Sequence, residues 1–243
     1  MNSSGYDERT LERLQTALLQ TKTDPELKKC MEARDEVLAR FQPLFSQDNL
    51  SELSGHEFYA FLLFDNNQHW SGLHRHGPKI TADMDQLRQA LALLFYGDGE
   101  IDQRLTRATA MIPGMGRAIA TALLLIVYPH RYGVWNTTSE GGLKALGLWP
   151  RFERGASLGE KYAQINDHLI RLAEALDVDL WTLDLTWWKV VDEETEESVE
   201  IKGPDVEPSS EQLFHIERHL QDFLWSNWEN TELANEWERY TEE

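Results

Sequence analysis

The stretch Met111-Ile-Pro-Gly-Met-Gly-Arg-Ala-Ile-Ala-Thr-Ala-Leu-Leu-Leu-Ile-Val127 limits the folds open to this chain more than any other. Pro113, Gly114 and Gly116 interrupt a helix, whereas the run from Ala118 to Tyr128 is almost wholly apolar and has to be buried. The spacing therefore predicts a helix, a tight turn and a second, buried helix. A turn of this kind opens the second helix with N–H groups that have no partner inside the helix. With no side chain at Gly114 or Gly116 to cover them, a phosphate can approach closely.

Helical periodicity extends over the rest of residues 1–188. Leu11, Leu14 and Leu18 form one stripe, and Val37, Leu38 and Phe41 another. Phe58 to Phe64 reads as a buried helix with Ser51 or Ser54 as its cap, and Leu87, Leu91, Leu94 and Phe95 mark the next, closed by the Gly97-Asp98-Gly99 turn. Ile101 to Met111 leads into the turn; helices at 139–146 and 159–176 follow it. No long run of strand-type alternation occurs, so the expected fold class is all-α. After Trp188 the composition shifts to Asp192-Glu-Glu-Thr-Glu-Glu197 and Gly203-Pro-Asp-Val-Glu-Pro208, which predicts an acidic linker over 189–210. Residues 211–243 read as an amphipathic C-terminal helix built on Phe214, Ile216, Leu220, Phe223 and Leu224.

A chain of 243 residues buries one good core, or one core and a small appendage. The single cysteine, Cys30, excludes an internal disulfide and a cysteine-based zinc cluster, and with no apolar leader or long apolar span the expected location is the cytoplasm. The formal charge of −19 opposes DNA binding, but it is unevenly spread. Residues 189–243 hold 17 acids and 4 bases, while residues 104–171, which include the turn, hold 9 Lys or Arg and 4 acids. The expected affinity for DNA is accordingly modest and salt-sensitive.

The turn, its apolar second helix and the downstream Tyr132-Gly-Val-Trp-Asn-Thr-Thr138 resemble the helix-hairpin-helix DNA glycosylases. That resemblance covers most of residues 51–188. It implies a helical bundle whose hairpin grips the DNA backbone, through Gly114, Met115, Gly116 and Arg117, with a monovalent cation held by hairpin carbonyls. It also implies a catalytic residue about twenty positions past the last hairpin glycine, at the start of the helix after next, which is Asn136. Bifunctional members carry a lysine where this chain has Ala118, so a lyase mechanism is not expected. Monofunctional members use an aspartate where this chain has Asn136. A carboxamide supplies no charge and accepts no proton at neutral pH, but its oxygen can orient a water, as an asparagine does in some glycosylases of a different fold. The plainer reading of Asn136 is a helix N-cap, and Glu140 is the nearest alternative carboxylate.

The segment Asn67-Gln-His-Trp-Ser-Gly-Leu-His-Arg-His-Gly-Pro78 lacks the spacing of a metal site, and no metal is expected. It reads either as a base pocket, with Trp70 stacking and His74, Arg75 and His76 donating, or as a structured surface loop. Trp135 and Thr137 join the candidate pocket as neighbours of Asn136. His130, Arg131 and Lys144 are candidate phosphate contacts, with a solvated turn the simpler account of the first two. Asp179 to Trp188 reads as core that closes the body, with Asp184 a candidate buried group near the site. Residues 211–230 resemble the opening helix of a PD-(D/E)xK nuclease domain, without the carboxylate and lysine motif that would make it active.

The expected function is a monofunctional DNA glycosylase that flips a modified base of duplex DNA and hydrolyses its N-glycosidic bond. The nearest analogy is to phage-defence glycosylases that remove glucosylated hydroxymethylcytosine from phage DNA. A catalytically silent DNA-recognition module of a restriction-type system is the alternative, favoured by the missing Lys and Asp. A DNA mimic or protein-interaction factor is a third reading, suggested by the acidic tail.

Overall fold

The computed structural model describes residues 6–201, with side chains through Asp192. The chain divides into two compact units, 1–195 and 196–243. The predicted C-terminal helix over 211–243 lies outside the described residues.

Twelve α-helices follow one another among the described residues, with no strand: α1 (Glu8–Thr23), α2 (Pro25–Glu32), α3 (Arg34–Phe41), α4 (Gly55–Leu62), α5 (Phe64–Asn67), α6 (Gly77–Ile80), α7 (Met84–Tyr96), α8 (Ile101–Met111), α9 (Arg117–Val127), α10 (Thr137–Ala145), α11 (Leu158–Leu176) and α12 (Leu180–Ile201). The all-α reading holds. Local chemistry sets many of the boundaries. Ser54 and Glu57 form a reciprocal capping box at the start of α4, and Ser157 with Glu160 repeats it on α11. Asp24 both ends α1 and caps α2 with its carboxylate.

α9 lies at the centre, with every side chain from Ile119 to Ile126 buried. On one side an aromatic cluster of Phe41, Phe45, Phe58, Phe61 and Phe95 fills the core with edge, tilted and stacked contacts at 5.3–6.5 Å between ring centres. α8 and α11 approach so closely that a Cβ at Gly159 would overlap the Asp102 carbonyl, and the Gly159 N–H donates to Thr106 Oγ1 at 2.9 Å. The predicted linker does not begin at 189: α12 continues through it to Ile201, and Val190 is buried. The acidic composition does not break the helix, because Glu is among the better helix formers.

Among the described residues no helix is long and apolar enough to cross a membrane.

Candidate functional site

The hairpin forms as the spacing predicts. α8 ends at Met111, Gly114 takes φ +91°, which favours glycine, and α9 begins at Arg117. Met115 N–H donates to the Ile112 carbonyl and Gly116 N–H to the Gly114 carbonyl, so two of the expected bare amides are used inside the turn. What remains is the α9 start itself, where no side chain caps the helix. Gly116 is exposed, and a Cβ there would meet nothing within 4 Å. Met115 was expected to contact DNA; instead it is 2% exposed, an anchor pinning the turn to the core. Of the turn carbonyls that could face a cation, those of Ile112 and Gly114 each already accept one bond.

The chain then returns to the hairpin. α9 carries it about 16 Å away, at 1.5 Å per residue, and the extended segment Tyr132–Asn136 runs back along it, with Trp135 N–H donating to Thr121 Oγ1 at 2.9 Å. α11 fixes this return: Asn166 accepts from Gly133 N–H (2.7 Å) and donates to the Arg131 carbonyl (3.0 Å), while Tyr162 donates to the Gly133 carbonyl (2.7 Å). Gly116 and Asn136, twenty residues apart, thus belong to one face. His130 and Arg131 do not share it. They lie just past the end of α9 opposite the hairpin, both exposed, with Arg131 over the Tyr132 ring at 5.1 Å.

Asn136 is the N-cap of α10. Its Oδ1 accepts from Ser139 N–H at 2.8 Å, and its own N–H donates to Ser139 Oγ at 3.0 Å. The capping reading is what the geometry shows. One lone pair of Oδ1 and the Nδ2 group remain for other work on this half-exposed side chain. Thr137, the first residue of α10, is exposed.

Glu140, one turn on, is held from three directions. Oε2 lies 2.7 Å from Arg117 and accepts from Trp135 Nε1 at 3.3 Å, while Oε1 lies 2.7 Å from Lys144. Burial alone would raise its pKa, but the Lys144 hydrogen bond, the Arg117 and Lys144 charges and the Trp135 bond outweigh it and hold the carboxyl below the usual glutamate range. An ionised carboxylate committed to two cations is a poor general base, which argues against Glu140 in that role. Trp135 was expected to line a base pocket. It is buried at 3% exposure, with the Arg117 guanidinium 4.6 Å over its ring. Gly141 and Gly142 let α10 lie directly against Val191 and Trp187 of α12.

The polar segment splits. Trp70 is core, not a stacking platform: it is 6% exposed, and its Nε1 donates to Asp184 Oδ2 at 2.9 Å. His69 turns inward to the same oxygen at 2.8 Å, against Trp181. Asp184 was expected buried, and is, but as the tie between α12 and this segment. Asn67, fully buried, bonds the Phe61, Leu63 and Trp70 carbonyls and the His69 and Trp70 N–H groups. His74, Arg75 and His76 lie in the short 3-10 turn 73–76, with Arg75 and His76 exposed and His74 partly so. The following residues abut the hairpin: a Cβ on Gly114 would lie 3.4 Å from Lys79, 3.5 Å from Ile80 and 3.7 Å from the His76 carbonyl. The polar turn and the hairpin are therefore contiguous, a juxtaposition the sequence does not disclose.

The local excess of basic residues is smaller on the surface than in the count. Arg104 is buried, donating to the Leu94 and Phe95 carbonyls at the end of α7 and to Tyr132 Oη, and Arg117 and Lys144 share Glu140. No protein-family model matches the chain, and neither the curated proteins nor the solved structures contain a match.

Proposed function

We propose that this protein grips duplex DNA through the α8–α9 hairpin and hydrolyses the N-glycosidic bond of an extruded, modified base at the start of α10. One observation carries the reading: the exposed, uncapped start of α9 and the α10 N-cap, twenty residues apart, are tied into one face by the Trp135–Thr121 and Arg117–Glu140 contacts. Phosphates of one strand meet the α9 N–H groups, with Gly116 leaving the approach open. The Nδ2 and second Oδ1 lone pair of Asn136 orient the attacking water, and a bulky substituted cytosine, such as a glucosylated hydroxymethylcytosine of phage DNA, is the substrate class. With Ala118 at the position a Schiff-base lysine would need, the product is an abasic site without strand cleavage.

Incubation with glucosylated, hydroxymethylated and unmodified DNA, followed by assay for abasic sites, tests it. Release from a modified substrate alone, lost in Asn136→Ala, is the expected result. Failure of every modified or damaged DNA to yield alkali-labile sites overturns the enzyme reading. The Oδ1 bond to Ser139 and the pairing of Glu140 favour one second reading, a catalytically silent DNA-recognition module. It predicts duplex binding that is weakened by Gly116→Glu, with no base released from a substrate whose modification raises affinity.

A further inference from the structure

Glu140 has no direct chemical task in that reading, yet it is the most heavily engaged carboxylate at the site. Arg117 is the first residue of α9, where the helix dipole disfavours a cation, and it lies beside the exposed helix start that phosphates would meet. Without Glu140 this corner would combine a guanidinium, the positive end of α9 and the Lys144 ammonium. With it, both cations lie 2.7 Å from the carboxylate, and the guanidinium lies 4.6 Å over the Trp135 ring. Neither cation is sequestered by burial, since the Arg117 and Lys144 side chains are 35% and 55% exposed and so can reach a phosphate once released.

We infer that Glu140 is a specificity-determining charge mask: it occupies Arg117 and Lys144 so that ordinary duplex DNA does not recruit them. The inference rests on the DNA-binding part of the proposed function. Each phosphate contact a protein makes displaces counterions from DNA, which steepens the fall of affinity with salt by about 0.9 in log–log slope. Cations already paired with a carboxylate contribute little to that term, because contacting a phosphate exchanges one anion for another. The mask therefore lowers sequence-independent affinity, and binding is left to those DNAs whose further contacts compensate for parting the ion pairs.

Titration of the full chain with fluorescently labelled unmodified duplex over a series of salt concentrations tests this, with thermal melting to follow the folded fraction. Glu140→Gln is expected to bind about tenfold more tightly at low salt, with a slope steeper by about 1 to 2, the yield of one or two freed phosphate contacts. Arg117→Ala and Lys144→Ala, placed in the Glu140→Gln background, are each expected to remove part of that gain. Equal or weaker binding by folded Glu140→Gln, or an unchanged slope, overturns the mask while leaving the hairpin reading in place. Duplex binding without base release removes the enzyme reading and leaves the mask intact. If the parent chain and every variant fail to bind duplex, the DNA reading and the mask both fall.

Discussion

At the scale of single residues, Asn136 and Glu140 each do structural work that also bears on function. Replacing Asn136 by Ala removes the acceptor for Ser139 N–H and is expected to cost about 1 kcal/mol, seen as a lower melting temperature. Asn136→Ser retains an N-cap hydroxyl and should melt close to the parent. The two variants together separate cap from chemistry: if base release needs the carboxamide, both lose it, and if it needs only an intact α10 start, Asn136→Ser keeps it. For Glu140, the folded pKa is below the ordinary value of 4.5, so its stabilisation is present above that value and is lost as pH falls through the folded pKa. Asp24, which caps α2 and pairs with Lys189 at 2.8 Å, works in the same direction. Acid titration of stability should accordingly show a smaller loss in Glu140→Gln than in the parent.

At the scale of elements, glycines decide how closely helices meet. Gly159→Ala places a methyl group into the Asp102 carbonyl, so α8 and α11 must separate. A loss of about 3 kcal/mol or more, measured by urea unfolding, is expected, the upper end of overpacking costs. Gly116→Glu is the counterpart: with open space around its Cβ, it should leave melting nearly unchanged while weakening any duplex binding, since it places a negative charge where phosphates would come. Periodicity and turn chemistry made the hairpin, α7 and α11 legible, with boundaries near those observed, whereas the buried helix read over 58–64 ends as α4 at Leu62 and Phe64 opens α5, 45% exposed. They failed at 189, where acidic composition was read as linker although α12 continues with Val190 buried. Within 67–78, read as a base pocket or a structured surface loop, they gave no sign that His69 and Trp70 are buried. Which way His69 and Trp70 turn depends on Asp184, more than a hundred residues on.

For the whole molecule, that long-range tie matters most. Asp184 is 4% exposed and accepts from both His69 and Trp70, joining α12 to the segment whose far end abuts the hairpin. Breaking it by Asp184→Ala leaves two buried donors unpaired and is expected to cost about 3 kcal/mol, with a lower urea midpoint. If hairpin geometry depends on that segment, duplex affinity should fall in the same variant under conditions where it remains folded. The buried Arg104 plays a comparable part, joining the end of α7 to Tyr132 and thus to the segment that returns to the hairpin.

Local sequence determined what local physics controls: the helices with a strong apolar stripe, the Pro-Gly-Met-Gly turn, the capping Asn136 as one of its two readings, and an all-α body. Tertiary structure decided everything that depends on distant partners. It put Met115, Trp70 and Trp135 in the core, set His130 and Arg131 past the end of α9 opposite the hairpin, and turned Glu140 from a spare carboxylate into the partner of two cations. The reason is range. Capping and periodicity act within a turn or two of helix, whereas burial and ion pairing are set by residues that meet only after the chain has packed.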